Sequence, residues 1–155
     1  MIIVYTDSDH AGDPVSRWSV SGFVIYIHGV PSVWRSRQNK CVALSSTESE
    51  WYALSEAIKE LVFLLNLCES MQIRVRLPVT VHVDNTGTIF MANNVTTNSR
   101  TRHIRTRYVR EYVEDGIVKI VFVRSEENDS DMMTKNVSSQ LHAKHSAKVI
   151  TKKTF

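Results

Sequence analysis

Long apolar runs are missing from this chain of 155 residues. None approaches the ~20 apolar residues that a membrane-spanning helix needs, and no signal peptide stands at the start. The expectation is a protein with no membrane partner. Cysteine is scarce as well. Cys41 and Cys68 lie in apolar settings without a CxxC spacing. That favours buried thiols in a reduced, intracellular protein over a disulfide framework or a zinc site. Internal repeats and low-complexity segments are absent too. Neither sign of charge is in large excess: the net charge of +3 does not by itself demand a nucleic-acid partner, so the distribution of charge matters more than its total. What is present, 43% apolar and 23% charged residues, suits one domain with a sizeable core.

Taken in order, Ile2 to Thr6 is β-branched and aromatic and predicts a strand that ends on Asp7. A turn-rich acidic segment follows. Val20 to Ile27 and Ser32 to Ser36 predict two further strands joined near His28-Gly29. A basic loop, Arg35 to Lys40, leads to a long helix from about Ser46 to Met71, with Ser46 or Thr47 as its N-cap. Pro78 introduces a fourth strand, Val79 to Val83, that ends on Asp84, and Asn85 caps a short helix reaching Asn93. A helix from Ser99 to Glu114 closes at Asp115-Gly116, and Ile117 to Val123 is the fifth strand. Asp131 lies at a last short helix, and the stretch from Ser138, rich in Lys, His, Ser and Thr, is expected to carry no fixed structure. The order β-β-β-α-β-α-α-β-α predicts an α/β domain: a meander with parallel additions, making a five-stranded mixed sheet flanked by helices.

Glu50 is in phase with Leu54, Ala57, Ile58, Leu61, Leu64, Leu65 and Cys68 on the long helix. A carboxylate in line with a buried stripe needs a partner or a cation. Asp7 and Asp84 each end a strand, where sites gather in α/β sheets, and Asp131 is a fourth candidate. Carboxylates held that close repel one another unless a cation joins them. Oxygen ligands without His or Cys point to Mg²⁺ or Mn²⁺. Each acid taken alone also reads as a solvated turn residue or a helix-dipole partner.

Several segments carry a resemblance. They are Tyr5-Thr6-Asp7-Ser8-Asp9-His10-Ala11-Gly12-Asp13, Ser19-Val20-Ser21-Gly22-Phe23 and Val42-Ala43-Leu44-Ser45-Ser46-Thr47-Glu48-Ser49-Glu50. Val83-Asp84-Asn85, Ser99-Arg100-Thr101-Arg102-His103-Ile104 and Asp131-Met132-Met133-Thr134-Lys135 continue the series. In this order, over roughly residues 3 to 136, the chain resembles the ribonuclease H domain of the reverse transcriptase polyprotein of copia-type LTR retrotransposons. The resemblance implies a ribonuclease H-like fold over residues 1–137, with 138–155 as a basic, flexible tail. It also implies that Asp7, Glu50, Asp84 and Asp131 are catalytic and metal-binding. Three positions depart from the family: His10 where Trp is frequent, Arg105 where Asp is common, and Asp129 in place of an apolar residue. Arg124 to Ser130 holds no His, so no proton shuttle from that loop is evident, and His142 and His145 are expected to be solvated.

The activity implied is hydrolysis of the RNA strand of RNA–DNA hybrids with two Mg²⁺ ions, Mn²⁺ being able to substitute, about 3.5–4 Å apart. In the implied roles Asp7 bridges both ions, Glu50 and Asp84 hold one and Asp131 the other, and products carry 5′ phosphates. Expected partners are the hybrid and the polymerase and connection domains of the same polyprotein, in cytoplasmic virus-like particles. Asn85, Ser46 and Thr47 are candidates for contacts to 2′-hydroxyls, with helix capping as the alternative. Arg37 and Lys40, beside Arg35, and Arg100 and Arg102, leading into Arg105, Arg107 and Arg110, are candidates for phosphate binding, with ordinary salt bridges as the alternative. Trp34 and Trp51 are expected in the core or at its rim. A catalytically inactive structural or tethering module, another nuclease of the same fold and a pure binding module are the competing readings. Four intact carboxylates favour the enzyme.

Overall fold

The computed structural model describes residues 1–12, 15–39, 42–94 and 106–149. Five strands form one mixed sheet in the order β3-β2-β1-β4-β5. They are β1 (Ile2–Asp9), β2 (Val20–Ile27), β3 (Val30–Gln38), β4 (Val79–Val83) and β5 (Val118–Phe122). β1, β2 and β3 make the expected antiparallel meander, and β4 and β5 add in parallel. β1 does not stop at Asp7. Its ladder with β2 continues through Asp7↔Gly22 to Asp9↔Val20, because the partner strand is long enough to pair it. β3 likewise runs beyond Ser32 to Ser36 at both ends.

The helices are α1 (Ser46–Ser70), α2 (Thr86–Asn93), α3 (Arg107–Glu114) and α4 (Ser139–Val149). The first half of the helix expected from Ser99 falls on residues outside those described. The apolar stripe of α1 packs on one face of the sheet, where Leu54, Ala57, Ile58 and Leu61 meet Val4, Phe23 and Val81. The stripe fades after Leu61. Leu64, Leu65 and Cys68 are half-buried, so the Cys68 thiol is less enclosed than its phase predicted. Trp51 is buried as expected. Trp34 is not: it is 59% exposed. On the edge strand β3 its neighbours Val33 and Arg35 turn toward α1, Val33 onto the core and Arg35 onto Glu56 and Glu60, which leaves Trp34 facing outward.

The cap of α1 is Ser45, one residue before the expected pair. Its hydroxyl accepts from the Glu48 amide at 3.1 Å, while Glu48 Oε2 accepts from the Leu44 amide at 2.6 Å. This is the reciprocal logic of a capping box, written in the sequence as Ser45-x-x-Glu48. The stretch from Ser138 also differs from expectation, because Ser139–Val149 is helical and His145 is fully buried. Its anchor is polar, so no apolar stripe advertised it.

Between β5 and α4 the chain makes two short 3-10 turns, Ser125–Glu127 and Asp131–Met133. The second lies directly on Gly22. A Cβ there would sit 2.7 Å from Thr134 Cγ2 and 2.8 Å from Met133 Cβ. Gly22→Ala is therefore expected to destabilise the fold by about 1–3 kcal/mol, the usual cost of overpacking. Urea unfolding checks this, and an unchanged midpoint contradicts the close packing of this turn on β2.

Candidate metal centre

The parallel pairing of β1 with β4 sets the site. The register Tyr5↔His82, carried two residues on, brings Asp7 level with Asp84. The Asp131 turn lies over the same end of the sheet. One carboxylate oxygen from each of Asp7, Asp84 and Asp131 lies within 4.8 Å of the other two. Asp7 and Asp131 are buried and Asp84 is half-buried. The start of α1 brings Glu50 next to β1. Its Oε1 accepts from the Ser8 amide at 2.9 Å and the Ser8 hydroxyl at 3.0 Å.

Each acid is held by a neighbour. Thr134 Oγ1 donates to Asp7 Oδ2. Ser125 Oγ donates to Asp84 Oδ2 at 2.8 Å. Lys135 Nζ lies 2.7 Å from Asp131 Oδ1 and 3.6 Å from Asp7 Oδ1. Even so, Asp7 Oδ1 and Glu50 Oε2 are buried without a hydrogen-bond partner. Buried oxygens of this kind are costly unless something meets them.

The electrostatics agree. Burial, opposed by the Thr134 bond and the Lys135 ammonium, pushes Asp7 up to about 6. Burial, reinforced by the charges of Asp7 and Asp84, pushes Glu50 up to about 8. Burial alone would lower the Lys135 ammonium, but Asp131 and Asp7 hold it well above its usual value. An all-oxygen donor set, buried carboxylate oxygens without hydrogen-bond partners and carboxyls that resist ionisation fit a hard divalent cation.

No protein-family model matches the chain. Among curated proteins, the Pol polyprotein of transposon TNT 1-94 from Nicotiana tabacum is 37% identical over 135 residues, 86% of this chain. The Pol polyprotein of transposon RE1 from Arabidopsis thaliana is 29% identical over 147 residues, 94% of this chain. The chain spans 10% of the length of each. Among solved structures, LC11-RNase H1 in complex with an RNA/DNA hybrid superposes with a TM-score of 0.65 at 18% identity, covering 86% of this chain and 94% of that one. The chain matches the ribonuclease H domain of copia-type retrotransposon Pol polyproteins.

In this domain of ribonuclease H fold, the candidates for substrate contact fall on several elements. Asn85 caps α2, its Oδ1 accepting from the Thr88 amide at 3.0 Å. Thr47 packs beside it, its Oγ1 2.9 Å from the position a Cβ on Gly87 would take. Ser46 is exposed on the first turn of α1. Arg37 is exposed and, with Ser21, Asn39 and Tyr52, lines a cavity of about 260 Å³. Arg35 is committed to ion pairs with Glu56 and Glu60 at 3.5 and 2.5 Å. In the second basic stretch Arg107 pairs with Glu111 at 2.7 Å, and Arg110 Nε donates to the Met91 carbonyl at 2.9 Å. These are the ordinary roles weighed as the alternative. Lys40, Arg100, Arg102, His103 and Arg105 lie outside the described residues. His142 is exposed as expected, whereas His145 is not solvated but enclosed, its Nδ1 donating to Asp129 at 2.9 Å.

Sequence reasoning missed Ser8, Ser125, Thr134 and Lys135 as supports for the carboxylates. Three of them stand inside motifs already quoted: Ser8 directly follows Asp7, and Thr134 and Lys135 follow Asp131 by three and four residues. Side-chain bonds of this kind have no periodicity that a pattern could catch.

Proposed function

We propose that this domain is a divalent-cation-dependent endonuclease that hydrolyses the RNA strand of RNA–DNA hybrids. One observation carries the reading. Asp7, Asp84 and Asp131 converge within 4.8 Å at one end of a ribonuclease H-fold sheet. Glu50 Oε2, buried without a hydrogen-bond partner, and Asp7 Oδ1, met only by Lys135 at 3.6 Å, support that reading.

Asp7, Glu50, Asp84 and Asp131 would hold Mg²⁺, with Mn²⁺ as a substitute. A bound pair of such ions would supply activation of the attacking water and charge compensation at the scissile phosphate and the leaving 3′ oxygen. The protein's own groups prepare for this. Ser8 fixes Glu50 by Oε1, which leaves Oε2 free of hydrogen bonds as the oxygen that would face a cation. Thr134 and Ser125 fix the rotamers of Asp7 and Asp84. Lys135 keeps a positive charge beside Asp131 and Asp7 and offsets part of their mutual repulsion.

For the substrate, a near-A-form hybrid offers 2′-hydroxyls and minor-groove shape rather than a base code. Asn85, Ser46 and Thr47 supply polar groups close to the carboxylates, and Arg37 supplies an exposed cation beside the 260 Å³ cavity. The polymerase and connection segments of the same polyprotein are the proposed partners that hold the hybrid in place, and reverse transcription in virus-like particles is the proposed setting.

The test is cleavage of a labelled RNA–DNA hybrid beside RNA–RNA and DNA–DNA duplexes in Mg²⁺ and Mn²⁺. The expected result is cleavage of the RNA in the hybrid alone, to 5′-phosphate products, and its loss in EDTA. Absence of cleavage in either ion, with no cation taken up in a calorimetric titration, supports an inactive structural module instead.

A further inference from the structure

The turn that delivers Asp131 is fastened by groups that touch none of the reacting atoms. Asn128 Nδ2 donates to the Thr6 carbonyl of β1 at 3.0 Å. Asn128 Oδ1 accepts from the Ser130 amide at 3.2 Å and its hydroxyl at 2.6 Å. Ser36 of β3 donates to the Met133 carbonyl at 2.5 Å. Between these lies Asp129, 3% exposed, whose carboxylate bonds Tyr26 and α4.

Asp129 gathers three donors from two elements. Tyr26 of β2 donates its hydroxyl at 3.1 Å, His145 of α4 its Nδ1–H at 2.9 Å, and Lys148 of α4 its ammonium at 2.9 Å. A carboxylate accepts only, so the Nδ1–H tautomer of His145 is the one that fits. Its other nitrogen, Nε2, is buried without a partner. Around this hub α4 makes polar contacts. Lys144 donates to the Glu126 carbonyl at 3.0 Å and pairs with Glu127 at 2.5 Å. His145 is the buried residue of the helix. The last helix is therefore joined to the Asp131 turn through a buried carboxylate two residues before the ligand, at the position where the resembling family carries an apolar side chain.

Building on the metal-centre reading above, we propose that Asp129 is a positioning residue. It ties α4, through His145 and Lys148, to the turn that carries Asp131, and so sets the affinity of the centre for its cation. A partner that orients a ligand changes metal affinity in the way an outer-sphere carboxylate does, without touching the ion.

The experiment uses the full chain and Mn²⁺ as the probe, with free Mn²⁺ followed by electron paramagnetic resonance and secondary structure by circular dichroism. His145→Ala removes the hub's buried donor. His145→Asn restores a donor near the place of Nδ1. Lys148→Met removes the exposed donor without opening a cavity. The expected result is a Mn²⁺ dissociation constant about tenfold higher for His145→Ala, a smaller rise for Lys148→Met and a value near wild type for His145→Asn. Half-saturating Mn²⁺ for cleavage should move in parallel while the maximal rate at saturating Mn²⁺ changes little. If His145→Ala fails to fold, Lys148→Met alone decides. Folded variants with wild-type Mn²⁺ affinity overturn the proposal and leave the metal centre intact. A wild type that takes up no Mn²⁺ overturns both.

Discussion

Asp7→Asn should bind Mn²⁺ more than about 100-fold more weakly than wild type, since loss of a mere outer-sphere partner already costs 10–100-fold. It should nevertheless melt at a higher temperature when no divalent cation is present. The two effects have one cause. Asp7 lies in the sheet at 0% exposure, level with Asp84 and close to Asp131. Burial pushes its carboxyl up from 3.8 to about 6. At pH 8 the folded, cation-free protein therefore carries a charge that its surroundings disfavour by up to about 3 kcal/mol, at 1.36 kcal/mol per pH unit. Asparagine keeps the shape and an acceptor for Thr134, and it removes that charge. Each kcal/mol moves the melting temperature of a domain this size by roughly 2–4 °C. Calorimetry on the two proteins, with and without Mn²⁺, measures both effects. A variant that is less stable in EDTA and still binds Mn²⁺ like wild type would mean that Asp7 is an ordinary structural carboxylate.

The second large effect is a fall in stability with rising pH, centred on Glu50. Its folded value of about 8 stands above the ordinary 4.5. Between those values the folded state holds a proton that the unfolded chain has released, so the free energy of unfolding falls by about 1.4 kcal/mol per pH unit. The Glu50 contribution is complete below about 4.5 and is lost as pH rises through about 8. Asp7 adds the same sign over its lower window, from 3.8 to about 6. Urea unfolding at pH 6, 7 and 8 in EDTA should show the slope, and Glu50→Gln should remove most of it. Saturating Mg²⁺ should flatten it in wild type, because the cation takes the place of the proton. A flat profile in EDTA contradicts the burial of an unpartnered Glu50.

Much of this centre is written in the chain, and particular residues show why. Asp7 and Asp84 are legible because each comes directly after a β-branched run in the sequence, and parallel pairing then leaves them side by side. Glu50 is legible because helical phase puts it on the stripe of Leu54 and Ile58, and the structure buries it at 5% exposure. The Ser45 cap could have been read from Ser45-x-x-Glu48, but Ser46 and Thr47 compete for the same role on composition alone. Trp34 was misjudged because strand alternation does not say which strand lies at the edge of the sheet. Helix α4 stayed hidden for a different reason. His145, Lys144 and Lys148 look like a solvated basic face until Glu127 and Asp129, sixteen or more residues earlier in the chain, are brought beneath them. Bonds between distant polar groups leave no local pattern.

The most direct measurement follows a 5′-labelled RNA strand annealed to DNA, in Mg²⁺, with wild type, Asp7→Asn and Glu50→Gln at equal concentration. A carboxylate centre that works through bound cations predicts cleavage by wild type and a loss on the order of 10³-fold in each variant, equivalent to about 4 kcal/mol of transition-state stabilisation. Cleavage that survives both substitutions would contradict the assignment of Asp7 and Glu50 to the reaction.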